Sequence, residues 1–326
     1  MLLVLRQNTD PYLNISTEEY YVKNATEDMC MLWINEKSVI IGKHQNAYAE
    51  INYPYLCAHH IPVIRRISGG GAVYHDAGNV NFTFIQKTVK PNQVDFGRFT
   101  RVVVKFIQSL GIEVNVSKRN SLFVGNRKFS GHAEHIFHEK VLHHGTILFN
   151  TNLDVLQQSL NPAKEYPGKA MASVRSDVVN IASLLSEKIN IQQFTDLFAS
   201  WLFDFFSPDC KLYSTSSEEQ DTIATLAESK YKTWEWNFGY SPAYSFNADI
   251  QMLNDSFTIS MKVENGKFIQ VDLPVDPKIT PMALILKSLV GVLHKEEEID
   301  KFVEKNLQSL ELAGINTAIL REAFFK

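Results

Sequence analysis

The densest set of residues able to do chemistry lies between Arg65 and Asn79. Arg65 and Arg66 come first, followed by Ile67-Ser68, then three consecutive glycines, Gly69, Gly70 and Gly71. Ala72, Val73, Tyr74, His75, Asp76 and Asn79 follow. Glycines let a backbone approach a ligand closely, and their N–H groups can converge on an anion. Arginines supply fixed positive charge and forked donors for phosphate oxygens or a carboxylate. The run is not a P-loop, because no Gly-Lys-Ser/Thr follows it, and it is not a GxGxxG opening a helix. Alone, the glycines describe a tight turn beside two surface arginines. The attached His75, Asp76 and Asn79 favour a binding site, because several polar side chains then border one loop.

Lys128 lies between Gly125 and Gly131 among turn-forming residues. It reads either as a solvated charge or as a point charge aimed at a phosphate or carbonyl, a role suited to three donors on a flexible stem. His143 and His144 precede Gly145, Thr146 and the apolar Ile147-Leu148-Phe149, a pattern that packing alone can explain. Ser173–Ser176 is a short loop that says nothing by itself. His132, His135 and His138 invite a metal reading, but no cysteine or paired carboxylate completes a ligand set, so no metal ligand is assigned. Cys30, Cys57 and Cys210 lack the glycine or helix-start setting that lowers a thiol pKa, so none is expected to act as a nucleophile.

These segments need elements to hold them. Met29–Ile34 and Ser38–Gly42 read as strands joined by a turn at 35–37. Residues 79–86 alternate Val80, Phe82 and Phe84 with polar neighbours, predicting a strand with one buried face. Phe99–Leu110 has helical spacing and stops at Gly111. Residues 190–206 form an amphipathic helix with Asn190 as N-cap. A polar stretch (207–219) and the aromatic Trp234–Tyr240 follow. Residues 247–272 read as strands with a hairpin at Asn265-Gly266. Thr280-Pro281 opens a helix towards Leu293, and the remainder reads as helical to Lys326. A boundary near Phe246 divides the chain into 1–246 and 247–326, the second part small but viable as a packed domain.

The 326 residues suit two domains. A hydrophobic fraction of 45% and a charged fraction of 21% are ordinary for a soluble globular protein. A net charge of -4 argues against general nucleic-acid binding and leaves room for a local basic site facing a phosphate-rich small molecule. Three scattered cysteines without a CxxC fit a reducing compartment. Neither a signal peptide nor a membrane-length apolar run is visible, so a cytoplasmic monomer, with no nucleic-acid or membrane partner, is the expectation.

Taken together, these motifs resemble the lipoate–protein ligase A family. The match includes Asn14–Glu19, Leu32-Trp33, Val39–Asn46, Arg65–Asn79, Gly125–Gly131, His143–Asn150, Ser173–Ser176 and Trp234–Gly239. The resemblance implies an α+β fold. Its catalytic domain has a mixed sheet, related to biotin ligases and class II aminoacyl-tRNA synthetases, and a small α+β C-terminal accessory domain follows. It implies ATP, Mg2+ and lipoate as reactants, with lipoyl-adenylate as intermediate. The acceptors would be lipoyl-domain proteins: 2-oxoacid dehydrogenase acyltransferase subunits and the glycine-cleavage H protein. By resemblance, Lys128 is the catalytic lysine. Arg66, Ser68, Gly69, Gly70, Gly71, Ala72, Val73, Tyr74, His75, Asn79, His144, Gly145 and Thr146 bind ATP and lipoate, and Leu13 and Trp33 help line the lipoyl slot. Ser173–Ser176 would close over the adenylate. The rivals are an octanoyltransferase using a cysteine acyl-enzyme, a biotin ligase, and a non-catalytic lipoyl-domain binder. Intact Arg66 and Lys128 argue against the last.

Overall fold

The computed structural model describes residues 1–87, 95, 97–252 and 255–325. Contacts group the chain into two compact units. The first comprises Met1–Lys43, Ile61–Gln157 and Ser173–Thr233; the second comprises His44–His60, Gln158–Ala172 and Trp234–Lys326.

In the first unit the strands are β1 (Leu2–Leu5), β2 (Met29–Trp33), β3 (Ser38–Ile41), β4 (Val63–Arg65), β5 (Val73–His75) and β6 (Asn79–Lys87). They continue as β7 (Asn115–Val116), β8 (Leu122–Val124), β9 (Arg127–Ser130), β10 (His132–Phe137), β11 (Lys140–Leu148) and β12 (Lys211–Leu212). A mixed sheet has the order β10-β11-β6-β2-β1-β12, with β1 parallel to β2 and β12 and the other pairs antiparallel. Separate three-stranded sheets are β4-β3-β5 and β7-β8-β9. The strands expected at 29–34 and 38–42 therefore exist but belong to different sheets.

Strand alternation sets what each face of the main sheet does. Val80, Phe82 and Phe84 of β6 enter the core with Phe99 and Phe106 of helix Arg98–Ser109 and Phe194 and Phe198 of helix Ile191–Phe205. Phe106 stacks on Phe198 at 4.2 Å, and Phe84 on Phe99 at 4.6 Å. The intervening Asn79, Asn81 and Thr83 are also buried, so the opposite face is polar and covered. Helix Pro11–Asn24 starts at Asp10, whose side chain accepts from the Tyr12 and Leu13 N–H groups, with Pro11 at its first turn. It carries Glu18 and Glu19, both buried. Helix Ile191–Phe205 begins with a capping box in which Asn190 and Gln193 bond each other's backbone.

The second unit contains the antiparallel meander β13 (Tyr244–Met252), β14 (Asp255–Glu264) and β15 (Lys267–Asp272). Asn265 and Gly266 take positive φ at 50° and 73°, as a tight hairpin turn requires. His294 ties the unit together: its ring bonds the Tyr244 hydroxyl at 2.7 Å and the Phe324 carbonyl at 2.9 Å, while the Tyr48 hydroxyl donates to the His294 carbonyl at 2.9 Å. This unit begins at Trp234, recruits two earlier segments, and has β13 running through position 246, so no single cut there separates it. The helix opened by Thr280 ends at Lys287, and Glu296–Lys305, Leu307–Leu312 and Thr317–Ala323 are distinct helices. Lys326 lies outside the described residues.

Candidate functional site

The glycine loop leaves β4 and returns as β5, and Arg66 shapes it from within. Arg66 is 5% exposed. Its Nη2 donates to the carbonyls of Gly69 at 2.5 Å and Gly71 at 2.8 Å. Its Nη1 donates to the Ile40 carbonyl at 3.2 Å, and its Nε to Ser68 Oγ at 2.9 Å. Sequence reasoning treated Arg66 as a fork for a ligand's oxygens; most of its donors instead grip loop carbonyls, and its charge acts through the loop. Burial pushes its pKa down to about 10, opposed by nearby Glu18, and it stays cationic at neutral pH. Gly70 has φ +87°, where a Cβ would lie 2.9 Å from Arg66 Nη2. A Cβ on Gly71 would lie 2.9 Å from Ser173 Oγ, which accepts the Ala72 N–H at 2.8 Å. The Ala72 donor is thus engaged by the first residue of the Ser173–Ser176 loop.

A buried chain of hydrogen bonds runs behind this loop. Ser68 Oγ is 2.7 Å from His144 Nε2, and His144 Nδ1 is 2.8 and 3.0 Å from the two Glu18 oxygens. Glu18 also accepts from Thr83 Oγ1 at 2.6 Å, and Thr83 accepts from Trp33 Nε1 at 2.9 Å. With Glu18 as acceptor, Nδ1–H donates and Nε2 accepts the Ser68 hydroxyl, so one tautomer satisfies the whole series. Glu18 received no role from the sequence, since a glutamate in a helix ordinarily reads as solvated surface.

Lys128 lies in β9, not in the turn expected for it. Its backbone is clamped by the segment before Ile181: its N–H donates to the Asp177 carbonyl at 2.8 Å, and its carbonyl accepts from Val179 at 3.0 Å. A Cβ at Gly131 would approach Lys128 Nζ at 3.2 Å, so the glycine there leaves the ammonium its room. Burial, then the charge of Arg66, lowers the Lys128 pKa below that of an ordinary lysine.

His75 ends β5 with Nδ1 3.1 Å from Asn35 Nδ2 and its ring edge-on to Trp33 at 5.9 Å. Burial, then Arg66 and His144, hold it at a pKa of about 3, so it is neutral. His75 Nε2, Asn79 Oδ1 and Asn81 Nδ2 are buried without a hydrogen-bond partner among the described residues. Val73 and Tyr74 pair with Ile40 and Val39 in the β3-β5 ladder. Thr146 donates its N–H to the Gly131 carbonyl at 3.1 Å, and any Cβ on Gly145 would run into the Phe82 ring and that same carbonyl. Gly145 thereby lets the Lys128 strand close down on β11. The structure thus joins Arg66, Ser68, the glycines and His144 through direct bonds, and places Lys128 and His75 within the field of Arg66. His138 sits apart, at φ 52° in the turn between β10 and β11. Among the described residues, no group of three or more His, Cys, Asp or Glu could hold a metal ion.

The arrangement sets two cations, the buried Arg66 and the partly desolvated Lys128, beside a glycine loop whose Gly69 and Gly71 carbonyls Arg66 holds. The family model for the lipoyl protein ligase A/B catalytic domain matches residues 10–203. Lipoate–protein ligase 1 of Staphylococcus aureus (strain Mu50) is 37% identical over 298 residues, 90% of each chain. The structure of Plasmodium falciparum LipL1 in complex with lipoate has a TM-score of 0.64 at 24% identity, covering 96% of this chain and 98% of that one. A lipoate–protein ligase A bound with ATP has a TM-score of 0.64 at 23% identity, covering 73% and 98%. The chain belongs to the lipoyl protein ligase A/B family. Its activity is that of a lipoate–protein ligase, on an α+β fold with mixed sheets.

Proposed function

We propose that this enzyme condenses lipoate with ATP to lipoyl-adenylate and pyrophosphate, then passes the lipoyl group to a lysine Nε of a lipoyl-domain protein. The acceptors on this reading are 2-oxoacid dehydrogenase acyltransferase subunits and the glycine-cleavage H protein, and the enzyme works as a cytoplasmic monomer. No helix of the described residues is long and apolar enough to cross a membrane.

The observation that carries the reading is the buried Arg66 gripping the Gly69 and Gly71 carbonyls of the glycine loop, with Gly131 leaving the Lys128 ammonium its room in β9. A carboxylate attacking an α-phosphate meets anionic repulsion, and these two cations lower it. Lys128, on its flexible stem, contacts both the acyl carbonyl and the phosphate. In the second step it stabilises the oxyanion formed when the amine attacks. The neutral His75 and the edge of Trp33 line the lipoyl slot with Leu13 and Val73, while His144, Gly145 and Thr146 form another wall. Magnesium, bound with the ATP phosphates, would neutralise part of their charge. The first unit carries this chemistry, and the second acts as accessory domain.

The test is lipoate-dependent ATP–pyrophosphate exchange, run in parallel with octanoate and biotin. Exchange with lipoate supports the reading. Exchange with biotin alone, or none with any acid, overturns it.

A further inference from the structure

Three buried polar atoms on the site's face of the main sheet have no hydrogen-bond partner among the described residues: Asn81 Nδ2, Asn79 Oδ1 and His75 Nε2. Asn81 is 1% exposed, Asn79 0% and His75 3%. Buried polar groups in protein interiors are paired almost without exception. Three orphans in one place mark a space that another molecule fills.

The sheet register locates that space. β6 stands between β2 and β11 in continuous register, with Asn81 directly opposite Trp33 on one side and Thr146 on the other. The three side chains therefore share a face. It is the face of the site: Thr83, two residues on in β6, accepts the Trp33 indole N–H and donates to Glu18, and Glu18 holds His144. The row also leads to the catalytic lysine. Thr146 donates its N–H to the Gly131 carbonyl at 3.1 Å, and a Cβ on Gly131 would lie 3.2 Å from Lys128 Nζ. At about 5 Å per step, the row from Gly131 through Thr146 to Asn81 is about 10 Å long. Trp33 follows Asn81 in the row, with the His75 ring edge-on to it at 5.9 Å.

Hydrogen-bond directions make two of the orphans donors. Asn79 Nδ2 donates to Asn81 Oδ1 at 2.8 Å, which leaves the Asn81 amide hydrogens unused. For His75 the direction is set by a chain of neighbours. Arg6 Nε donates to Asn14 Oδ1 at 3.2 Å, so Asn14 Nδ2 is the atom that faces Asn35 Oδ1 at 3.0 Å. Asn35 Nδ2 then donates to His75 Nδ1 at 3.1 Å. The neutral ring thus carries its hydrogen on Nε2, where no described residue accepts it.

We propose that Asn81, with the His75 N–H beside it, reads the sulfur atoms of the acid and so sets a preference for lipoate over octanoate. The proposal rests on the ligase reading. The two acids share an eight-carbon chain and a carboxylate, and they differ in the sulfurs that lipoate carries on C6 and C8. With the acyl carbonyl at Lys128, an extended chain brings those carbons to the Asn81 end of a row of this length. Sulfur is polarisable and accepts hydrogen bonds weakly. It offers the Asn81 and His75 donors a partner that the methylenes and terminal methyl of octanoate do not. A slot lined by such donors disfavours an analogue that leaves them unpaired. On this placement Asn81 touches the tail of the acid and none of the reacting atoms, which makes it a specificity determinant.

The test is ATP–pyrophosphate exchange on the full chain with lipoate and with octanoate, each read as kcat/KM. Asn81→Leu keeps the volume and removes the donor. It also deprives Asn79 of its acceptor, an effect that falls on both acids and cancels in their ratio. The lipoate-to-octanoate ratio of kcat/KM should drop about 10-fold, the upper end for one lost hydrogen bond, and the change should lie in KM for lipoate. Asn81→Ala should show the same drop and serves if Asn81→Leu does not fold. Asn81→Thr, which returns a hydroxyl donor, should recover part of the ratio. A wild type that does not favour lipoate, an equal fall with both acids, or an unchanged ratio in a folded variant would overturn the role of Asn81 and leave the ligase reading intact. A wild type that exchanges with neither acid would overturn the ligase reading, and the role of Asn81 with it.

Discussion

Glu18 holds the imidazole of His144 through both carboxylate oxygens, at 2.8 and 3.0 Å from Nδ1. Through Ser68 and Arg66, that contact reaches the carbonyls of the glycine loop. Replacing Glu18 by Gln removes the charged acceptor and sets His144 and Thr83 in competition for one neutral oxygen. Breaking a buried hydrogen bond of this kind costs about 1–3 kcal/mol. Glu18→Gln should unfold at lower urea concentration and lose roughly 10-fold or more in ATP–pyrophosphate exchange, a loss of the same order. Unchanged exchange would show that the loop does not depend on this chain.

The three glycines should differ in tolerance. Gly70→Val places a branched side chain at φ +87° with its Cβ against Arg66, and Gly71→Val drives into Ser173. Both should fold cooperatively and lose measurable binding of a non-hydrolysable lipoyl-adenylate analogue in titration calorimetry. Nothing lies within 4 Å of a Cβ on Gly69, so Gly69→Ala should bind nearly as the wild type does. Equal affinity across all three variants would make the loop a mere connector.

Much of this architecture is legible in the residue pattern, and the gaps have physical causes. The alternation of Val80, Phe82 and Phe84, the stop at Gly111 (φ +81°) and the Asn190 cap all correspond to observed elements, because each depends on local periodicity or local backbone chemistry. The assignment of β2 and β3 to separate sheets was not legible, since pairing is a long-range choice. Glu18 was invisible as a network member for the same reason: its partners, His144 and Thr83, lie far away in sequence. Arg66 read as a ligand-facing fork because sequence shows its type and not the direction in which it folds back. The boundary at 246 followed a change in composition. The contacts of the second unit also draw in residues 44–60 and 158–172, which no linear division can express.

No cysteine should be needed. Burial raises the Cys30 thiol well above its ordinary pKa and raises Cys57 and Cys210 as well, leaving little thiolate at neutral pH. Replacing all three with alanine or serine should preserve transfer apart from packing losses. Mass spectrometric capture of a thioester on any of them would favour the octanoyltransferase mechanism.

Acid should destabilise the fold in a defined window. His75 and His294 have folded pKa values of about 3 against 6.5 unfolded, in both cases chiefly through burial. Above pH 6.5 both states are neutral and stability is intact. Between 6.5 and about 3 the unfolded chain takes up protons that the folded one refuses. Each such histidine then contributes a loss of up to about 1.4 kcal/mol per pH unit. His294→Gln should be less stable at pH 7 but lose stability with a slope shallower by about one proton between pH 6 and 5. An unchanged slope in urea titrations would contradict this.

The central claim is that Lys128 does the electrostatic work of both half-reactions, and Lys128→Ala tests it most directly. The substitution leaves the backbone bonds to Asp177 and Val179 available, so the variant should fold, which its thermal melt will verify. The measurement is the rate of lipoyl-adenylate formation by this variant, alongside transfer from pre-made adenylate. Loss of one transition-state contact of this type corresponds to about 3–4 kcal/mol, or roughly 100- to 1000-fold, and the account predicts that deficit in both steps. Near-normal rates in a well-folded Lys128→Ala protein would remove Lys128 from the mechanism.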